Sequence, residues 1–160
     1  MNFLDRLKNL FRSSATAQPA RESAIDLPSA ADWIVVGLGN PGPKYAATRH
    51  NVGYMAIDDL LAETGDILQP VKGQKLFAAT IKIAGQKVIL ARSTTFMNLS
   101  GEGIAPLAQH LGVSSERIIA VHDELDLPVN KIRLKLGGNE NGHNGLKSLT
   151  EHLGTRDYLR

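Results

Sequence analysis

Two hydrophobic periods alternate along this chain, and the switches between them outline its elements. Residues 33–36 form a short apolar run that ends in the turn Gly37-Leu38-Gly39-Asn40-Pro41-Gly42, which predicts a buried strand. In residues 52–63, Met55, Ala56, Leu60 and Leu61 recur at helical spacing, with Asn51 placed to cap the first turn. Residues 76–83 and 87–91 flank Ala84-Gly85-Gln86, a hairpin pattern. Ser100 is placed to cap a helix running to Leu111, inside which Pro106 removes one backbone donor and predicts a kink or a late start. Residues 118–121 read as another short apolar strand. Residues 131–136 alternate strictly, with Lys131, Arg133 and Lys135 on one face and Ile132, Leu134 and Leu136 on the other, which predicts a strand. In residues 143–153, Leu146, Leu149 and Leu153 share a helical face, and Gly154 follows as the helix stop.

The order is strand, helix, hairpin, helix, strand, strand, helix. It predicts an α/β protein: a three-layer α/β/α single domain around a mixed, largely parallel twisted sheet. Residues 1–31 differ in character. Phe3, Leu4, Leu7, Leu10 and Phe11 fall at helical spacing with Arg6, Lys8 and Arg12 on other faces, and an Ala/Ser/Pro stretch follows. This reads as a flexible extension, 1–31, bearing an amphipathic helix, ahead of a domain over 32–160. Its apolar positions are dispersed, so no secretory signal is expected.

With 160 residues, 42% of them hydrophobic, the chain suits one packed domain. No apolar run approaches the roughly 20 residues of a membrane span, so none is expected. A formal charge of +2 permits an RNA partner without requiring one. The absence of cysteine excludes disulfides, zinc fingers, iron–sulfur centres and thiol catalysis, and fits a cytoplasmic location.

Gly37, Gly39 and Gly42 spell G-x-G-x-x-G after a strand, the pattern of a dinucleotide site. The chemistry argues against that reading. Pro41 and Pro43 each delete a donor where a pyrophosphate needs backbone N–H groups, and no helix is predicted before Asn51. The turn instead holds Asn40 beyond the carboxyl end of a strand. Arg49-His50-Asn51, Met97-Asn98, His122-Asp123-Glu124 and His143-Asn144 fall at comparable edges. Together they supply a base, a carboxylate to orient it and several neutral amides, a set suited to activating water without a covalent nucleophile. No G-x-S-x-G elbow is present. Metal catalysis is the main competitor, given Asp123, Glu124, Asp126 and the histidines, but no metal-ligand spacing such as H-E-x-x-H occurs. The cations at 131, 133 and 135 repel one another unless an anion lies across them, and a nucleic-acid backbone is one such partner.

The motifs Val36 to Gly42, Tyr45 to Asn51, Thr94 to Gly101, His122 to Pro128, and Lys135 through Lys147 occur in an order and spacing that closely resemble the bacterial-type peptidyl-tRNA hydrolase family, from about Trp33 onward. The resemblance implies hydrolysis of the ester between a peptide and tRNA, recycling tRNA from aborted translation, by a monomer with no metal or cofactor. It makes His50 the general base, Asp123 the carboxylate that fixes its tautomer, and Asn40 the residue that tells a peptide from a free amine. It assigns Tyr45, Phe96, Asn98 and Asn144 to substrate binding, Met97 and His143 to the wall of the site, and Lys135 to tRNA phosphate. Arg133 and Lys131 join Lys135 by spacing. The family pattern has no counterpart to residues 1–30 and continues past Arg160, so the domain is expected to be C-terminally incomplete, poorly stable and weakly active. A non-catalytic RNA-binding module of the same fold, like a plant intron-splicing factor, is the alternative.

Overall fold

The computed structural model describes residues 24–160; the amphipathic pattern near the amino terminus lies outside them. Among the described residues, five strands and three α-helices follow in the order β1 Trp33–Gly37, α1 Val52–Thr64, β2 Gln69–Pro70, β3 Leu76–Ile83, β4 Gln86–Ser93, α2 Ser100–Leu111, β5 Ile118–Val121 and α3 Asn144–Leu153. The sheet order is β2-β3-β4-β1-β5. β1 pairs in parallel with β4 and β5, while β2-β3 and β3-β4 are antiparallel, so the mixed sheet divides evenly between the two kinds of neighbour.

Alternation along the central strands builds two cores. Ile34 and Val36 of β1 and Ile89 and Ala91 of β4 face Ile104, Leu107, Leu146 and Leu149 of α2 and α3. Val35, Val88 and Leu90 face Ile57 and Leu61 of α1. Three layers result, as the element order predicts. The hairpin also forms, turning at Ala84 and Gly85 with φ of 49° and 77°, the two positive values that a tight turn matched to strand twist requires.

Four local expectations need correction. First, α1 buries Gly53, Tyr54, Ile57 and Leu61, while Met55 is exposed. A Cβ on Gly53 would collide with the Val121 carbonyl and with the Leu38 backbone. The bare Gly53 backbone therefore lies against the strand ends, and this contact, rather than the bulkiest residues, sets the helix rotation. Second, Ser100 is no cap: its hydroxyl donates to the Met97 carbonyl at 2.7 Å, and a 3₁₀ turn, Met97–Leu99, leads into a helix that Pro106 does not delay. Third, residues 131–136 form no strand. Apart from the local turn bond from Lys131 N–H to Pro128 O, their backbone is paired only at the end, where Lys135 exchanges N–H and carbonyl bonds with Arg160 and the following Gly137 N–H donates to Tyr158 O. Ile132 and Leu134 are 99% and 69% exposed, so the alternation is real but only its last residue, Leu136, reaches the sheet, through a bridge to Leu159, which in turn bridges to Ile119 of β5. Fourth, the packed domain already includes Ile25, which bridges to Val71, and Leu27 and Ala31, which pack on the core.

Replacing Gly53 by Ala should destabilise the domain by about 1–3 kcal/mol, the usual cost of forcing a methyl into a filled space. Thermal unfolding should show a clear drop in Tm; an unchanged Tm would mean that α1 can retreat from the strand ends without loss.

Candidate active site

The carboxyl ends of parallel β1 and β5 deliver the polar residues to one edge of the sheet, where ligands bind in α/β proteins. β5 is followed by His122 and Asp123. β1 leads through Leu38, whose N–H donates to the Val121 carbonyl, to Asn40. His50 sits on the 3₁₀ turn Arg49–Asn51 that precedes α1. Its Nδ1 lies 2.7 Å from Asp123 Oδ1, with 38% of the imidazole side chain exposed and 10% of the carboxylate.

Asp123 receives a second imidazole. His143 Nε2 lies 2.9 Å from the same Oδ1, and the His143 side chain is 7% exposed. His143 also caps α3 with its ring: Nδ1 accepts the N–H groups of Gly145 at 3.1 Å and Leu146 at 3.3 Å. A nitrogen that accepts cannot carry the proton, so His143 is the Nε2–H tautomer and donates to Asp123. Burial holds its pKa below the ordinary histidine value, against the opposing pull of Asp123. Burial pushes Asp123 upward, but the hydrogen bonds from His50 and His143 outweigh it and leave the carboxyl below its usual range. Asp123 is thus an ionised, acceptor-only group, and His50 must donate from Nδ1. That leaves the lone pair on His50 Nε2, which has no partner among the described residues. His122 stacks edge-on against His143 at 4.9 Å, donates from Nδ1 to its neighbour's carbonyl at 2.6 Å, and is held below the ordinary value chiefly by burial.

His50, Asp123 and His143 also satisfy the spacing of a metal-ligand set, with donor atoms within 4.8 Å of one another. The proton on His143 Nε2 argues against that use: freeing the nitrogen for a metal would require an imidazolate, or a shift of the proton to Nδ1 that breaks both capping bonds to α3.

A second network lies alongside. Asn51 is 2% exposed and spends its side chain on Asn40, accepting the Asn40 N–H and donating to the Asn40 carbonyl, both at 2.8 Å. Asn40 Oδ1 in turn accepts the Met97 N–H at 2.7 Å. Sequence reasoning gave Asn51 a capping role and a place in the Arg49-His50-Asn51 cluster; it makes no capping hydrogen bond. The only signal was its place beside His50.

His50, Asp123, His143 and Asn144 line one cavity of about 620 Å³. Asn40 lines a separate groove. Tyr45 and Phe96 meet edge to face at 6.4 Å, with Phe96 54% exposed. Asn98 is exposed on its 3₁₀ turn. Met97 is 3% exposed, packs in the core and takes part through its backbone. Arg133 is exposed and Lys135 half-buried, and neither lines the cavity.

A solvent-open histidine–carboxylate couple at the strand ends of a three-layer α/β sheet is an arrangement that hydrolytic enzymes use to activate water. Comparison with known proteins gives the family. Residues 34–160 match the family model described as peptidyl-tRNA hydrolase. The chain is 56% identical over its whole length to peptidyl-tRNA hydrolase 2 of Corynebacterium glutamicum, covering 72% of that protein. It is 53% identical over 79% of its length to peptidyl-tRNA hydrolase of Mycobacteroides abscessus, covering 65% of it. The crystal structure of peptidyl-tRNA hydrolase from Acinetobacter baumannii superposes with a TM-score of 0.77 at 35% identity, covering 84% of this chain and 68% of the other. The chain belongs to the peptidyl-tRNA hydrolase family, hydrolases that act on the ester bond of peptidyl-tRNA. It spans about two thirds to three quarters of the length of these relatives. Among the described residues no helix is long and apolar enough to cross a membrane.

The loop that delivers His143 is held by an ion pair. Glu140, whose carbonyl accepts the His143 N–H, receives Arg156 Nε at 2.8 Å and Nη2 at 3.1 Å. These bonds depress the Glu140 carboxyl from 4.5 to about 2. A depressed carboxyl contributes stability that is present above its unfolded value and lost as pH falls toward the folded one. Replacing Glu140 by Gln should therefore lower Tm at pH 7, with the difference shrinking below pH 4.5 and gone near pH 2. A difference independent of pH would contradict this assignment.

Proposed function

We propose that His50 is the general base of ester hydrolysis in this chain, with Asp123 orienting it. The reading is carried by the 2.7 Å contact between His50 Nδ1 and Asp123 Oδ1 at the mouth of an open cavity. His50 Nε2 takes a proton from water, and the water oxygen attacks the carbonyl carbon that links the peptide to the terminal ribose. Asp123 stabilises the imidazolium that forms. As the tetrahedral intermediate collapses, the bond to the ribose oxygen breaks and the imidazolium returns its proton to that oxygen. Peptide acid and free tRNA leave, and His50 is again neutral. No metal enters the scheme, because the carboxylate already turns the imidazole lone pair toward the cavity.

Asn40 reads the acyl side. Its Oδ1 is occupied by the Met97 N–H, so its NH₂ group is the end free to donate to a peptide carbonyl. It offers no negative charge to a free α-ammonium, which favours blocked over free aminoacyl groups. Tyr45 and Phe96 present aromatic surface for the terminal adenine, and Asn98 and Asn144 offer amides near the ester. Lys135, Arg133 and Lys131 meet the phosphate backbone of the RNA. His50, Asp123, Asn40 and Asn144 all come from one chain, so a monomer suffices, and the substrate places the work in the cytoplasm.

Replacing His50 by Ala should lower the rate of hydrolysis of N-acetyl-aminoacyl-tRNA by about 10²–10⁴-fold, the usual worth of a positioned base, while tRNA affinity stays within twofold. Hydrolysis at the parental rate would remove His50 as the base. Hydrolysis of free aminoacyl-tRNA as fast as the blocked form would remove the role given to Asn40.

A further inference from the structure

One cation on the inner surface of the sheet is used by none of the chemistry above. Arg92 is the next-to-last residue of β4, and alternation puts it on the face of Val88 and Leu90, the apolar face that packs on α1. Its guanidinium lies 5.1 Å from the ring centroid of Tyr54 and 5.6 Å from that of Phe77. The nearest carboxylate oxygen, Asp58 Oδ1, is 3.7 Å from Nη1, beyond hydrogen-bond distance. Arg92 is 30% exposed and Asp58 60%. Among the described residues no acceptor is in hydrogen-bond reach of the guanidinium, although two aromatic rings fix where it sits.

Arg92 lines a groove of about 540 Å³ whose walls include Asn40, Asn51, Met55 and Phe77. This groove shares no lining residue with the His50 cavity, but Asn51 of the groove directly follows His50 of the cavity in the chain. Lys135 lies close enough to Glu124 of the cavity to act on its carboxyl, and it does not line the groove. The basic segment that suits RNA therefore approaches the cavity beside Glu124, whereas the groove is walled by Asn40 and Asn51.

We propose that this groove holds the peptide part of the substrate and that Arg92 selects a carboxylate-bearing side chain, Asp or Glu, beyond the residue that carries the ester. The inference rests on the proposed hydrolysis at His50. A guanidinium presents paired N–H groups that match a carboxylate, and partial removal from water strengthens such a bond. Met55 and Phe77 give the aliphatic stem of the side chain apolar surface to lie on. Asp58 competes for the same guanidinium and moderates the preference.

The test compares N-acetyl-Glu-Ala-tRNA with N-acetyl-Gln-Ala-tRNA on the full chain. The parental protein should favour the Glu substrate in kcat/KM by about 10-fold, the scale of one hydrogen bond to a charged group. Arg92→Met should bring that ratio to about 1, Arg92→Lys should retain part of it, and Asp58→Asn should raise it. A ratio near 1 in the parental protein, a ratio that survives Arg92→Met, or an equal loss on both substrates in that variant would overturn the assignment. Direct binding keeps the groove separate from the chemistry. The Arg92 Nε–H resonance should shift with N-acetyl-Glu-Ala-amide, and not with its Gln counterpart or with the trinucleotide cytidyl-cytidyl-adenosine. If neither tRNA is hydrolysed, the hydrolase reading fails, and this titration alone decides the groove. A shift with the trinucleotide instead of the Glu peptide would give the groove to the RNA end and overturn the proposal.

Discussion

A single carboxylate oxygen, Asp123 Oδ1, takes hydrogen bonds from two imidazoles that come from opposite directions in the chain, His50 from the start of α1 and His143 from the start of α3. The two donors have different tasks. The His143 ring is nearly buried and spends its other nitrogen on the first backbone N–H groups of α3. It is a structural strut that fixes the carboxylate. His50 is partly exposed, and with Nδ1 committed, its remaining lone pair is aimed by geometry rather than by chance rotation. The carboxylate stays ionised despite its burial because two donors share it.

The rest of the fold brings those three groups together. Parallel pairing of β1 with β5 puts Asn40 and Asp123 at the same edge. Gly53 lets α1 sit directly on that edge, which brings the turn carrying His50 within reach of Asp123. Asn51, one residue on, locks the backbone of Asn40 through two hydrogen bonds. One short segment, residues 50–53, therefore supplies the partly exposed imidazole, the support for the amide and the close packing against the strands.

Much of this was legible in the sequence where a local signal was complete. β1 and β5 are apolar runs, the β3–β4 hairpin has its turn residues, and α3 has both its apolar stripe and Gly154 as its stop. The partnership of His50 and Asp123 came from the family resemblance; from composition and spacing alone only a set of bases, carboxylates and amides at strand ends could be read. What failed needed knowledge of neighbours. Residues 131–136 alternate like a strand, but alternation describes only the chain itself, and a strand needs a second backbone along its length. The buried face of α1 was misjudged because close backbone approach at Gly53 outweighs the hydrophobicity of Met55. Asn51 resembles a cap from its position alone, and whether its amide turns to its own helix or across to Asn40 is a tertiary choice. His143 capping its own helix through a ring nitrogen has no sequence signature, since imidazole is outside the usual capping set.

The central claim is the division of protons around Asp123, and nitrogen-15 NMR of the histidine side chains at neutral pH reads it most directly. The account predicts that His50 carries its proton on Nδ1 with an unprotonated, pyridine-like Nε2, while His143 shows the reverse, and that both N–H protons resonate downfield through their shared acceptor. A His50 found predominantly as the Nε2–H tautomer would contradict it, because the lone pair would then face the carboxylate and no base would face the water.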